Sequence, residues 1–160
     1  MHNADLQDVS ICRLDAAHLD ALYEIELASF SHPWRKEDYR HELAENPLAH
    51  YYGCFAEGRM VAYAGFWQVV DEAHITNVAV CPEMRRRQLG ALLVQHVKNA
   101  ALAQGLVRMT LEVRESNTPA LALYQKMGFV SAGKRPGYYD EPKEAAIIMW
   151  CDLLPAQTEE

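Results

Sequence analysis

The stretch "NVAVCPEMRRRQLGALLVQHV", Asn77 to Val97, gathers Arg85, Arg86 and Arg87 at the doorway of a helical pattern, in a chain of formal net charge −7. Its first four residues read as the end of a buried strand and its last ten as an amphipathic helix. The first turn of a helix presents unpaired backbone N–H groups and a partial positive charge. Arginines beside such a turn add bidentate, charge-assisted contacts, so the pattern suits a ligand carrying phosphates. A solvated basic turn is the plainer alternative. A second residue stands out in "TLEVRESN", where Glu112 interrupts a β-rich run. A carboxylate in a buried strand is costly unless it is paired or functional. An ion pair with Arg114, or exposure on a sheet edge, would explain it without function.

Other chemistries are poorly supported. Neither G-x-x-x-x-G-K-[ST] nor G-x-G-x-x-G occurs, so the usual nucleotide loops are missing. "FVSAG" is not a hydrolase elbow, because from Gly128 the spacing is one residue too long. Cys12, Cys54, Cys81 and Cys151 are far apart, with no C-x-x-C pair, and read as small hydrophobes. The seven histidines show no ligand spacing, and no metal site is expected. Net acidity argues against nucleic acid as the main partner and is compatible with a cationic one. No apolar run approaches the roughly 18 residues of a membrane span, so no membrane partner is expected. The opening "MHNADLQDVS" resembles no signal peptide, which makes the cytoplasm the expected location.

The elements that must position these residues follow from pattern. With 160 residues, half of them hydrophobic, there is room for one sizeable core. "VSICRL" reads as a strand. Asp15 offers an N-cap, and Leu19, Leu22, Tyr23 and Phe30 mark a helix face that "SHPW" ends. "RKEDYRHELAEN" reads as a second, polar helix. The strands "HYYGCFAE" and "MVAYAGFWQVV" flank the turn Glu57-Gly58-Arg59, and "AHITNVAV" follows them. The central helix spans about Gly90 to Gln104, with Leu89, Leu92, Leu93, Val97 and Ala100 toward the core and Gly105 past its end. "VRMTLEV" is a strand. "SNTPALALYQKMGF" carries a helix signature with Thr118 as N-cap, Pro119 first and Gly128 beyond the end. "FVSAG" and "AAIIMWCDL" read as strands around a Gly/Pro/Tyr-rich loop, and "PAQTEE" should fray. One α/β domain of mixed strand order accommodates this.

In this layout the chain resembles the GCN5-related N-acetyltransferases (GNAT). Their signature Q/R-x-x-G-x-G/A matches "RRRQLG" at Arg85 and Gly90, with Gln88 where the first glycine is usual. The stretches "FSHPW", "VVDEAHITNVAV", "LEVRESNTPALALYQKMGF" and "YYDEPKEAAIIM" resemble one branch, the bacterial ribosomal-protein alanine N-acetyltransferases. The resemblance implies a single-domain GNAT fold over 1–160, ordered over about 8–154. It would have a mixed, mostly antiparallel sheet of about six or seven strands flanked by about four helices. It also implies acetyl-coenzyme A as co-substrate, with no metal.

Residue roles follow from the resemblance. Arg85, Arg86, Arg87, Gln88, Leu89, Gly90 and Ala91 would cradle the pyrophosphate. The backbone of Val78, Ala79 and Val80 would pair with the pantetheine arm. Asn117 would contact the cofactor, although it also reads as a cap residue. Acyl transfer to an amine needs a base, an oxyanion donor and an acid. Glu112 matches the branch's general base, acting directly or through water. Tyr124 matches its general acid, and a phenol with a reference pKa of about 10 holds its proton at neutral pH. The oxyanion donor would be the backbone N–H of Val78 or a neighbour, where the family's strand bulges. Phe30, Pro33 and Trp34 on one side and Tyr138 and Tyr139 on the other would wall the substrate. The acceptor would be a protein N-terminus, as in a basic ribosomal protein. A small-molecule amine, or a non-catalytic acyl-coenzyme A-binding module, are the competing functions.

Overall fold

The computed structural model describes residues 8–85 and 87–153. Arg86 and the tail "PAQTEE" lie outside the described residues. The order is β1 (Val9–Arg13), α1 (Leu19–Ser29), α2 (Lys36–Ala44), β2 (Ala49–Ala56), β3 (Arg59–Val69), β4 (Glu72–Val80), α3 (Leu89–Ala103), β5 (Arg108–Arg114), α4 (Thr118–Lys126), β6 (Val130–Tyr139) and β7 (Glu144–Asp152). Short 3₁₀ turns precede α1 and follow β4. The strands form one seven-stranded sheet in the order β1-β2-β3-β4-β5-β7-β6. All neighbours are antiparallel except β4 and β5.

That one parallel pairing decides where a site can form. It lasts only for Glu72–Arg108, Ala73–Met109 and His74–Thr110. Beyond it β4 runs on to Val80 beside β3, while β5 runs on to Arg114 beside β7. The sheet therefore splits. At the split Gly65 pairs with Asn77 and Phe66 with Ile75, which leaves Thr76 as an extra, bulged residue of β4. A bulge bends its strand and raises the local twist, which turns β4 away from β5. Gly65 opposite the bulge has no room for a side chain, since a Cβ there would sit 2.3 Å from the Tyr51 ring.

The helices bury stripes that their spacing dictates. On α3 the stripe is Leu89, Leu93, Val97 and Ala101, four residues apart, with Val94 beside it. The expected core face is thus corrected: Leu92 is 39% exposed and Ala100 only half-buried, because the helix crosses β2, β3 and β4 on a line one position over. Two further expectations change. The N-cap of α4 is Asn117, whose Oδ1 accepts from the Ala120 N–H at 3.2 Å, and Thr118 is the first helical residue. The loop expected before the last strand is instead the far half of β6, which reaches Tyr139. Its pairing with β7 slips between Arg135 and Tyr139, and an edge strand tolerates Pro136 and Gly137 in such a slip. Cys54, Cys81 and Cys151 are buried free thiols and Cys12 an exposed one.

Candidate active site

Between the parted strands lies a cleft of about 580 Å³, within the size range of small-ligand sites. One wall is Ile75, Thr76, Asn77 and Val78 of β4, and the other is Leu111 to Arg114 of β5. Asn117, Ala120 and Tyr124 of α4 close one side. Phe30, Ser31, His32 and Trp34, between α1 and α2, face Tyr138, Tyr139 and Asp140 across the mouth. The cleft thus brings together Phe30, Trp34, Val78, Glu112, Asn117, Tyr124, Tyr138 and Tyr139. Pro33 is half-buried and does not line it, and Ala79, on the opposite pleat of β4, is buried in the core.

Glu112 lies in β5, where its apolar neighbours left pairing with Arg114, exposure at a sheet edge and a functional role open. It is exposed into the cleft, between buried Leu111 and Val113, on the stretch of β5 that pairs with β7 after the pairing with β4 has ended. It does not pair with Arg114. That guanidinium bonds Glu144 at 3.1 Å and the carbonyl oxygens of Asp140 and Pro142 at 3.1 and 3.0 Å. Glu144 also accepts the Ser116 N–H at 2.5 Å. These bonds lower the Glu144 pKa, with Ser116 the largest contributor. The clamp ties the β6–β7 turn to the loop before α4 and leaves Glu112 without an ion pair among the described residues.

Tyr124 is buried against Phe129, ring centres 5.6 Å apart and nearly edge-on. Burial, then the neighbouring Tyr139, pushes its pKa up. Such a phenol stays protonated and can donate. Tyr139 is pushed up to about 12, first by burial and then by Tyr138 and Glu112. It packs edge-on to Tyr138 at 4.9 Å and beneath Arg114. Tyr124 and Tyr139 therefore keep neutral hydroxyls at neutral pH.

The arginine loop opens into a second depression on the other side of α4, lined by Val80, Met84, Arg85, Gln88, Leu89, Gly90, Ala91, Pro119 and Lys126 among others. The first α3 hydrogen bond runs from the Leu92 N–H to the Gln88 carbonyl at 3.1 Å. The amides of Leu89, Gly90 and Ala91 precede it and have no intrahelical acceptor. Gln88 offers no side-chain cap, and no acidic residue stands in the first turn. Gln88 has φ +62°, a left-handed conformation, so this residue holds the backbone shape a glycine would take. Arg85 folds back, bonding the Val80 carbonyl at 3.0 Å and Ser29 Oγ at 3.4 Å. Arg87 is exposed on the loop. Uncapped amides, arginines and Lys126 fit a polyphosphate chemically. Among the described residues no cluster of His, Cys, Asp and Glu could hold a metal ion.

Sequence reasoning missed Lys126, Asn77 and the Arg114 clamp. Lys126 follows Gly90 by 36 residues, and nothing local places it at the α3 N-terminus. Asn77 sat inside the quoted strand motif, but its importance depends on the bulge beside it. Arg114 carried a local signal as Glu112's possible partner, and the structure gives it a different one.

A strand that parts from its neighbour beside a bulge, feeding a basic loop and an uncapped helix, defines a class. The chain belongs to the acetyltransferase (GNAT) family, whose model matches residues 19–129. Within it the chain falls in the ribosomal protein bS18-alanine N-acetyltransferase branch, and it is an acyltransferase. A Bacillus subtilis protein provisionally named for that activity is 44% identical over 135 residues, covering 84% of this chain and 89% of the relative. The [ribosomal protein bS18]-alanine N-acetyltransferase of Escherichia coli strain K12 is 35% identical over 142 residues, covering 88% and 95%. The crystal structure of the Escherichia coli ribosomal-protein-S18-alanine N-acetyltransferase superposes with a TM-score of 0.85 at 32% identity, over 95% of this chain and 98% of that one.

Proposed function

We propose that this acetyltransferase moves the acetyl group of acetyl-coenzyme A to the N-terminal alanine of ribosomal protein bS18. The observation that carries the reading is the cleft itself, where Glu112, Tyr124 and the β4 bulge meet between two aromatic walls. The relatives' named activity, at 35–44% identity, supports this choice of substrate.

Acetyl-coenzyme A supplies a thioester, an acyl group on a good leaving sulfur. The α3 N-terminus, Arg85, Arg87 and Lys126 hold its phosphates, and the Val78–Val80 backbone holds its pantetheine arm. The substrate amine enters between the Phe30–Trp34 and Tyr138–Tyr139 walls. As its nitrogen bonds the acyl carbon, Glu112 takes the amine proton, directly or through water. Backbone N–H groups near Val78 stabilise charge on the carbonyl oxygen. Tyr124 gives its proton to the sulfur as the C–S bond breaks.

The reading is tested by turnover of acetyl-coenzyme A against N-terminal peptides, lysine-bearing blocked peptides and small amines. The expected result is preference for a bS18-type N-terminal peptide. Faster turnover of a polyamine or amino acid would favour the small-molecule function instead.

A further inference from the structure

Behind the cleft lies a buried polar network that no role above uses. Glu26 of α1 is 1% exposed. Its Oε2 accepts the Trp34 N–H at 2.9 Å, and its Oε1 accepts the Tyr39 hydroxyl at 2.8 Å and the Tyr63 hydroxyl. Tyr39 also receives Asn77 Nδ2. Asn77 lines the cleft with Glu112 and Tyr124.

The order of donors fixes a direction. The Tyr39 hydroxyl donates to Glu26, and so spends its single proton there. Burial, then Tyr63, and more weakly Glu26, push the Tyr39 pKa far up, which keeps that proton in place. Tyr63 likewise gives its proton to Glu26, so the 3.2 Å contact between the two hydroxyls brings Tyr39 no second donor of that kind. The Tyr39 oxygen is left as an acceptor, and Asn77 must turn its NH₂ toward it. The Asn77 carbonyl oxygen Oδ1 then faces away, with no hydrogen-bond partner among the described residues. A fixed acceptor in this cleft suits a group with hydrogens to give. It does not suit a carbonyl oxygen gaining charge, which needs a donor.

We propose that Asn77 Oδ1 binds the attacking amine, with Glu26 and Tyr39 acting as positioning residues that hold the amide in that orientation. The inference rests on the N-terminal amine reading above. A neutral primary amine carries two hydrogens. One goes to Glu112 as the N–C bond forms, and the other is held by Asn77, which aims the nitrogen lone pair at the acyl carbon.

The test compares peptides beginning with alanine and with N-methylalanine, whose neutral amine has one hydrogen fewer. The unaltered protein should prefer alanine in kcat/KM. In Asn77→Leu that preference should shrink by roughly fivefold, about the worth of one neutral hydrogen bond. Glu26→Gln should shrink it in the same direction, because a carboxamide in its place breaks the donor order. Acetyl-coenzyme A affinity should stay unchanged in both. Should Asn77→Leu not fold, by circular dichroism, Asn77→Ala replaces it. An unchanged preference in the folded variants overturns the Asn77 assignment while leaving N-terminal acetylation intact. Failure of the unaltered protein to acetylate either peptide overturns the N-terminal reading and this assignment with it.

Discussion

The Arg114 guanidinium lies 4.4 Å from the centre of the Tyr139 ring. Stacked there and bonded to Glu144, Arg114 is fully engaged two residues beyond Glu112 on the same strand. The carboxylate thereby keeps its lone pairs for a substrate. The same stacking fixes one aromatic wall of the cleft beside the group that must accept the proton.

Glu112→Gln and Tyr124→Phe keep shape and remove one proton-transfer role each. Each should slow turnover roughly 10²- to 10⁴-fold, with acetyl-coenzyme A affinity nearly unchanged by calorimetry. Full activity in either variant would return that residue to a packing role.

Gln88 holds a left-handed backbone at φ +62°, which costs a residue with a Cβ roughly 1–2 kcal/mol. Gln88→Gly relieves that strain but gains freedom in the unfolded chain, which offsets about 0.4–1 kcal/mol. The net expectation is a small rise in stability in urea melts, together with equal or tighter acetyl-coenzyme A binding. A loss above about 1 kcal/mol would show that the Gln88 side chain makes contacts that outweigh the strain.

Much of the fold was legible because local and long-range demands agree. The α4 signature, from Pro119 to Gly128, and the Glu57–Gly58 hairpin turn are chemistry within a few residues. Glu112 shows where that legibility ends. Its apolar neighbours left an ion pair, edge exposure and function open, and only the parting of β4 from β5, a property of three strands together, decides for exposure into a cleft. The bulge at Thr76 depends on Gly65 and Tyr51 across the sheet, so Asn77 looked like any strand residue. The "KRPGYY" stretch carried true turn residues, yet it stays within β6 because pairing with β7 resumes at Tyr139 beyond the slip.

Gly65→Ala probes that bulge. The added methyl would meet the Tyr51 ring, whose hydroxyl bonds Glu42 at 3.2 Å and Thr76 at 3.0 Å. Overpacking here should cost about 1–3 kcal/mol in denaturant melts and lower kcat by shifting β4. Unchanged stability would mean Tyr51 can move aside freely.

His50 is buried and stacked on Phe66, ring centres 4.9 Å apart. Burial, then nearby Arg13, lowers its pKa, and burial lowers that of His96. The folded values lie below the unfolded one of about 6.5. The neutral rings therefore stabilise the fold above that pH, and this stability drains as pH falls through the folded values. Urea midpoints should hold steady from pH 8 to 7 and decline toward pH 5. His50→Leu should flatten part of that decline, and an unaltered slope would move the effect elsewhere.

The central claim is that the cleft acetylates a chain end. At pH 7 populating the neutral amine costs about 1 kcal/mol for an α-amine and about 4.6 for lysine, from their reference pKa values. A single exposed carboxylate such as Glu112 suits the smaller demand. The most direct measurement incubates the protein and acetyl-coenzyme A with two peptides of one sequence, beginning with alanine and containing a lysine. One has a free terminus and the other a blocked one, and mass spectrometry locates the acetyl group. The account predicts acetylation at the free alanine and loss of most activity on the blocked peptide. Equal rates on both, with acetyl on the lysine, would contradict it.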